Sequence, residues 1–294
     1  MTERPDQPPL TSPRSERVRK VAALTGRSAR RRQGRFRIEG PLAVHSLLEH
    51  RSELALEVFL TDRADADHPE LRRLARRSDI PLRVVDEQIL RAMLRDQGPG
   101  QESSAADGAP VTPQGAVAVG TLPAEDPALA SEALQALPTG KPVTVLVLHE
   151  VRDPGNVGTL IRTADASGAD LVVLTRTCAD PYSPKAVRAA VGSLFHLPVL
   201  AGAEIDDVLA DLAAAGITAA ATSGYATAEL FTAELPVRIA WILGNEAHGL
   251  DERTVNAAPL AVRIPLAGHA ESLNVHTAAT VCLFETLRRR QAGT

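Results

Sequence analysis

"HEVRDPGNVGTLIRTADASGAD", His149 to Asp170, follows the apolar run "PVTVLVLH" (142–149) and leads into a helix. A strand with so few polar positions fits a parallel sheet covered on both faces. A glycine-rich turn between such a strand and a helix is a common phosphate cradle. This turn has neither G-x-G-x-x-G nor G-x-x-x-x-G-K-[ST], so a Rossmann dinucleotide site and a P-loop both lack support. A dinucleotide oxidoreductase fails on the same glycine spacing. The turn carries instead Asn156 and, six residues later, Arg162. Asn156 stands where a helix cap would. Arg162 is rooted among the apolar Leu160, Ile161, Ala164 and Ala166, which points it toward the strand ends.

Outward from that stretch, strands and helices alternate. "DLVVLT" (170–175) reads as a strand. "SPKAVRAAVG" (183–192) reads as a helix with Ser183 as cap and Pro184 behind it. "EIDDVLADLAAAG" (helix), "ITAAAT", "VRIAWILG" and "AVRIPL" (strands) and "NVHTAATVCLFETLRRR" (helix) follow. The pattern predicts an α/β fold with a mainly parallel sheet flanked by helices. The first half alternates too. "RFRIEG" (35–40) is a strand, "PLAVHSLLEH" a helix, "LALEVFLT" a strand, "PELRRLARRS" a helix, "LRVVD" a strand and "EQILRAMLR" a helix, and "AVAVG" closes the unit as a strand. "DQGPGQESSAADGAPVTPQG" (96–115) predicts a mobile loop. These boundaries divide the chain into a disordered tail (1–13), a smaller α/β domain (14–121), a linker (122–141) with a helical turn or two, and a second domain (142–294).

The 294 residues suit two domains, and 44% apolar content supplies real cores. No apolar stretch approaches the ~18–20 residues that span a bilayer. The first residues hold no apolar segment of the kind a signal peptide needs. Cys178 and Cys282 form no metal or disulfide pattern and predict buried free thiols in a reducing, cytoplasmic setting. The eight histidines include no H-x-x-x-H, so no metal is expected. The net charge is −4, but it is segregated: residues 14–37 hold ten basic side chains against the single acid Glu16. That segment therefore carries +9 and the remainder −13. Such segregation suits a polyanion-binding face, with Arg30, Arg31, Arg32 and Arg35 as its densest cluster. Aromatics make up 3% of the chain, so shape and backbone recognition outweigh base stacking.

Ligands of open parallel sheets sit beyond the carboxyl ends of the strands. Three loops leave strands there with unusual polar content: 149–158, 244–250 and 266–274. The second, "LGNEAHGL" (243–250), has Gly244 and Gly249 for close backbone approach and Glu246 to cap or to pair with a base. In the third, "IPLAGHAESLNVHTAA" (264–279), Ser272 and Asn274 precede an alanine-rich helix that either can cap.

Taken together, the three patterns resemble the SpoU (TrmH) family of RNA ribose 2′-O-methyltransferases, within the SPOUT superfamily. The matches are Asn156 with Arg162, "GNEAHGL", and "IPLAGHAESLNV", with "DPYSPKAVRAAVGSLFHLPV" (180–199) between the first two. His276 and Thr277 depart from the small residues more usual after "LNV". "RRQGRFRIEG" and "PQGAVAV" in turn resemble the ribosomal-protein-like RNA-binding domain that many members carry in front. The resemblance implies a trefoil knot in the second domain, S-adenosylmethionine as methyl donor, a homodimer through that domain, and no metal. It implies catalytic roles for Asn156, Arg162, Glu246, Ser272 and Asn274. It also implies an adenosine pocket around Leu243, Gly244, Ile264, Leu266 and Leu273, with Thr222 nearby. The implied substrate is 23S rRNA, in a housekeeping or antibiotic-resistance role. The alternatives are a tRNA 2′-O-methyltransferase and a non-catalytic RNA-binding ribosome-assembly factor.

Overall fold

An interior strand of the second half, "VTVLVL", is buried at every position, which is why its sequence shows no alternation. The computed structural model describes residue 10 and residues 12–95 and 114–292. The expected tail (1–13) falls mostly, and the expected mobile loop (96–115) almost entirely, outside the described residues. The chain forms two compact units: residues 1–123 with 182–188, and residues 124–181 with 189–294.

The first unit is built on four strands: β1 (Arg35–Glu39), β2 (Ala55–Leu60), β3 (Leu82–Val84) and β4 (Ala116–Thr121). Their order is β1-β4-β2-β3. β4 runs antiparallel to both neighbours, and β2 pairs parallel with β3. Strand β4 is buried from Ala116 to Gly120. A Cβ on Gly120 would lie 2.7 Å from the Phe36 ring, so glycine there makes room for a core aromatic. Val18, Val21 and Leu24 pack with Phe59, Ile89, Leu90, Met93 and Val119 into one cluster.

The second unit holds seven strands, every pair parallel: β5 (Val143–Leu148), β6 (Leu171–Thr175), β7 (Val199–Ala203), β8 (Thr218–Thr222), β9 (Ala228–Glu229), β10 (Arg238–Leu243) and β11 (Leu260–Arg263). The order is β7-β6-β5-β10-β8-β11-β9. The expected mainly parallel α/β sheet is therefore present. Trp241 of β10 is fully buried, and its indole N–H donates to the Thr286 hydroxyl at 2.9 Å. Both cysteines are buried and free, and burial pushes the Cys282 thiol up to about 12.

One segment departs from the sequence reading. Residues 122–141 were expected as a linker with a helical turn or two, whereas Pro127–Ala136 forms a full ten-residue helix. Asp126 caps it by accepting from the Ala128 N–H at 3.0 Å. Ala130 and Leu134, four apart on one face, are buried in the core of the second unit beside Val143 and Leu171. That pair anchors the helix to the sheet.

Candidate active site

Because the sheet of the second unit is all parallel, the loops after β5, β10 and β11 leave from one edge. The first two are tied together directly. The His149 N–H donates to the Leu243 carbonyl at 2.8 Å, continuing the β5–β10 ladder into the loops. Asp153, not Asn156, caps the Pro154–Ala166 helix: its carboxylate accepts from the Asn156 N–H at 2.9 Å. The Asn156 side chain is thereby released to donate to Glu246 at 3.1 Å. Glu246 also accepts from the backbone N–H groups of Arg152 at 3.1 Å and Asp153 at 3.0 Å. Partial burial works against its ionisation, but the hydrogen bonds from Asp153, Asn156 and Arg152 prevail and hold the carboxyl below its ordinary value. Glu246 is thus a clamp on the start of the helix.

The β10 loop is folded tightly by its own residues. Asn245 and Gly249 exchange backbone bonds at 3.0 and 2.9 Å. The Asn245 side chain donates to the Glu150 carbonyl at 3.0 Å and accepts from the Ala247 N–H at 2.8 Å. A Cβ on Gly244 would sit 2.3 Å from the Gly249 carbonyl carbon. Only glycine allows these two strands of the loop to touch. Asn245 and Glu150 were not among the expected site residues. Asn245 lies within the "GNE" pattern and was visible there, whereas Glu150 acts through its carbonyl and with φ 57°, which no side-chain motif signals.

Asn274 starts the terminal helix Val275–Ala292, with its side chain accepting from the His276 N–H at 2.8 Å. The His276 ring meets the Thr163 hydroxyl at 2.9 Å, next in sequence to Arg162. The Arg162 side chain is exposed and makes no hydrogen bond or ion pair among the described residues. Ser272 is likewise exposed and unbonded there. In the pocket set, Leu243 is buried at the end of β10, and the Thr222 hydroxyl donates to the Ile242 carbonyl at 3.0 Å. Ile264 and Leu273 are half-buried, and Leu266 is 38% exposed. From Ile264 to Leu273 no backbone N–H or carbonyl has a hydrogen-bond partner among the described residues. The structure thus joins Asn156 to Glu246 and links Asn274 to the neighbour of Arg162 through His276. It makes no such link for Ser272.

The basic cluster of the first unit divides. Arg30 is only 2% exposed, and its guanidinium donates to the carbonyls of Leu24 at 2.9 Å and Thr25 at 2.6 Å. Arg30 was expected to bind RNA. It is instead a strut for the turn between two helices, and burial removes it from any nucleic-acid face. Arg31, Arg32 and Arg35 are exposed. Arg35 lines a cavity of about 270 Å³ together with Arg17, Lys20, Val21, Leu24 and Glu57. Among the described residues no group of His, Cys, Asp and Glu side chains is arranged to hold a metal ion, and no helix is long and apolar enough to cross a membrane.

Residues 143–284 match the SpoU rRNA Methylase family. Over 288 residues the chain is 31% identical to a 23S rRNA (uridine(2479)-2′-O)-methyltransferase of Streptomyces viridochromogenes, covering 95% of this chain and 92% of that one. The chain belongs to the SpoU rRNA methylase family. A second relative, the 23S rRNA (guanosine-2′-O-)-methyltransferase RlmB of Pseudomonas putida, is 29% identical over 87% of this chain and 97% of its own. The crystal structure of the SpoU methyltransferase AviRb from Streptomyces viridochromogenes in complex with AdoMet superposes with a TM-score of 0.76 at 27% identity, covering 96% of this chain and all of that one. The SpoU match takes in all three motif loops and all seven strands of the parallel sheet.

Proposed function

We propose that this SpoU methylase transfers a methyl group from S-adenosylmethionine to a ribose 2′-hydroxyl of RNA, with 23S rRNA as the substrate. The observation that carries the reading is the Glu246 clamp. It holds Asn156 and the start of the Arg162 helix against the β10 loop at the carboxyl edge of the sheet. The substrate class is that of the Streptomyces and Pseudomonas relatives, and the cofactor is the one bound in the AviRb crystal.

The residues present fit that cofactor. Residues 264–273 offer a run of unpaired backbone donors and acceptors, and Leu266 offers exposed apolar surface. Such a strip suits an adenosine held by main-chain bonds with a ring against an aliphatic side chain. Leu243, Gly244, Ile264, Leu266 and Leu273 would line it. The cofactor, when bound, supplies a methyl group made electrophilic by its sulfonium.

The chain's own task is to bring a hydroxyl oxygen into line and to ease loss of its proton. A guanidinium is a cation with no free acceptor, so Arg162 serves as a cation and not as the base. Its unpaired guanidinium suits the phosphate next to the target ribose, where its field favours the hydroxyl's ionised form. Glu246 is a poor proton acceptor, since its oxygens are already bonded to three donors. The proton passes to water or a phosphate oxygen. Ser272 and the Asn274 amide keep unused hydrogen-bonding capacity for the substrate side. In the first unit Arg31, Arg32 and Arg35 bind RNA backbone. The reading further includes a homodimer through the second unit, a knotted path of its C-terminal segment and a cytoplasmic setting.

Calorimetry with S-adenosylmethionine tests the first step, and mapping of ribose methylation on 23S rRNA from cells with and without the gene tests the second. A cofactor that binds and a 2′-O-methyl mark that disappears with the gene are expected. Absence of cofactor binding would leave a non-catalytic RNA-binding factor, and a mark lost from tRNA alone would reassign the substrate.

A further inference from the structure

The third turn of the Pro154–Ala166 helix meets the start of the terminal helix at a side-chain pair that none of the three motifs contains. Thr163, buried, places its Oγ1 2.9 Å from His276 Nε2. The His276 backbone is engaged as well. Its N–H donates to the Asn274 side chain at 2.8 Å, and its carbonyl accepts from the Thr280 hydroxyl at 2.8 Å. One residue therefore connects Asn274 to the neighbour of Arg162.

Helix geometry gives that connection a purpose. Asn156 and Thr163 are seven residues apart, so they fall on one stripe of the helix about two turns apart. Glu246 holds the first end of the stripe at 3.1 Å, and His276 holds the second. Arg162 lies one residue, roughly 100°, off this doubly held stripe. Its guanidinium makes no bond among the described residues, so nothing at the tip fixes where it points. Its aim comes from the position of its root, and the root is set by the two clamps.

We propose that His276 is a positioning residue for methyl transfer: its ring, bonded to Thr163, locks the turn bearing Arg162 to the capped helix start bearing Asn274. The proposal rests on the functional reading above for its catalytic consequence, but not for the clamp itself. A helix–helix contact that served stability alone would change the melting temperature without separating kcat from KM.

The test uses the full chain and four variants. Thr163→Val keeps the shape and removes the hydroxyl, and Thr163→Ser keeps the hydroxyl. His276→Ala removes the ring, and His276→Gln places an amide at about the reach of Nε2. In the free protein, hydrogen exchange of residues 274–280 is expected to speed up in Thr163→Val, and that of residues 160–166 in His276→Ala, with both near wild type in the Ser and Gln variants. In turnover, kcat is expected to fall about three- to tenfold in Thr163→Val and His276→Ala, the worth of one lost hydrogen bond. KM for S-adenosylmethionine stays unchanged, Ser and Gln recover most of kcat, and the Val/Ala double variant is no worse than either single one. Unchanged exchange in the partner helix, wild-type kcat in Thr163→Val, losses that multiply in the double variant, or a loss confined to KM each overturn it. Should the wild-type chain methylate no ribose, the functional reading fails, while the exchange experiment still decides the clamp.

Discussion

Gly244 and Gly249 stand in the same short loop, yet the structure assigns them different reasons for being glycine, and the difference is measurable. At Gly244 the constraint is space. A Cβ there would lie 2.3 and 2.4 Å from the carbonyl carbon and oxygen of Gly249 and 2.4 Å from the Leu250 nitrogen. These are backbone atoms and no rotamer relieves them. The two arms must part by about 1 Å to reach ordinary contact. That movement breaks the paired Asn245–Gly249 bonds at 3.0 and 2.9 Å and the bond from the Asn245 side chain to the Glu150 carbonyl. Three bonds at ~0.5–1.5 kcal/mol each put the cost of Gly244→Ala at about 2–4 kcal/mol. At Gly249 the constraint is conformation: φ is 68° and a Cβ would meet nothing within 4 Å. Gly249→Ala costs only the left-handed penalty of ~1–2 kcal/mol, and Gly249→Asn less. Urea unfolding with unchanged m-value ranks the three variants, and calorimetry with S-adenosylmethionine shows Gly244→Ala losing cofactor affinity most. A Gly244→Ala midpoint equal to wild type, or Gly249→Ala as the costlier change, would refute the packing argument.

Arg162→Lys keeps the charge and loses the fork, so kcat is expected to drop by about 10- to 100-fold, with cofactor affinity intact by calorimetry. Glu246 is bonded as a carboxylate and titrates below its ordinary 4.5, so its contribution to stability is complete above pH ~4.5 and fades as pH falls through the lower folded value. Glu246→Gln should therefore melt lower than wild type at pH 7, and the gap should narrow on acidification, as followed by circular dichroism. Arg30→Ala should destabilise by about 2–4 kcal/mol, because two carbonyls lose their donor, while leaving the salt dependence of RNA binding unchanged. Neutralising Arg32 and Arg35 should do the reverse. RNA affinity falls in filter binding, the slope against log salt shrinks by about 1–2, and stability moves by less than about 0.5 kcal/mol.

Much of the second unit was legible because its physics is local. The nearly apolar run at 142–149 marks a doubly covered strand, and the polar loops after β5, β10 and β11 stand out against such strands. Asn156, Glu246 and Asn274 were singled out as candidates in this way. Their partners were not, because the Asn156–Glu246 and Thr163–His276 bonds join residues 90 and 113 positions apart. Arg30 shows the same limit from the other side. A run of three arginines gives no sign of which one turns inward, and the carbonyls that capture Arg30 are exposed by the break in the helix at residues 23–26. The helix Pro127–Ala136 was read as a linker with only a turn or two because prolines stand at both ends of residues 122–141, although Ala130 and Leu134 already had helical spacing. Strand β7 escaped notice because Gly202 at φ 99° interrupts a short run. The two-residue β9 is too short for any period to show.

The strand order has a consequence for how the chain is born. Strand β5 lies between β6 and β10, and the register pairs Val143 with Arg238. On a ribosome the polypeptide leaves in sequence order, so β5 waits with one hydrogen-bonding margin open while about 90 more residues are translated. At ~5–20 residues per second that interval lasts about 5–20 s. A nascent chain stalled before residue 238 thus presents a mostly apolar, half-paired ribbon, the species that chaperones bind and that aggregates when they do not.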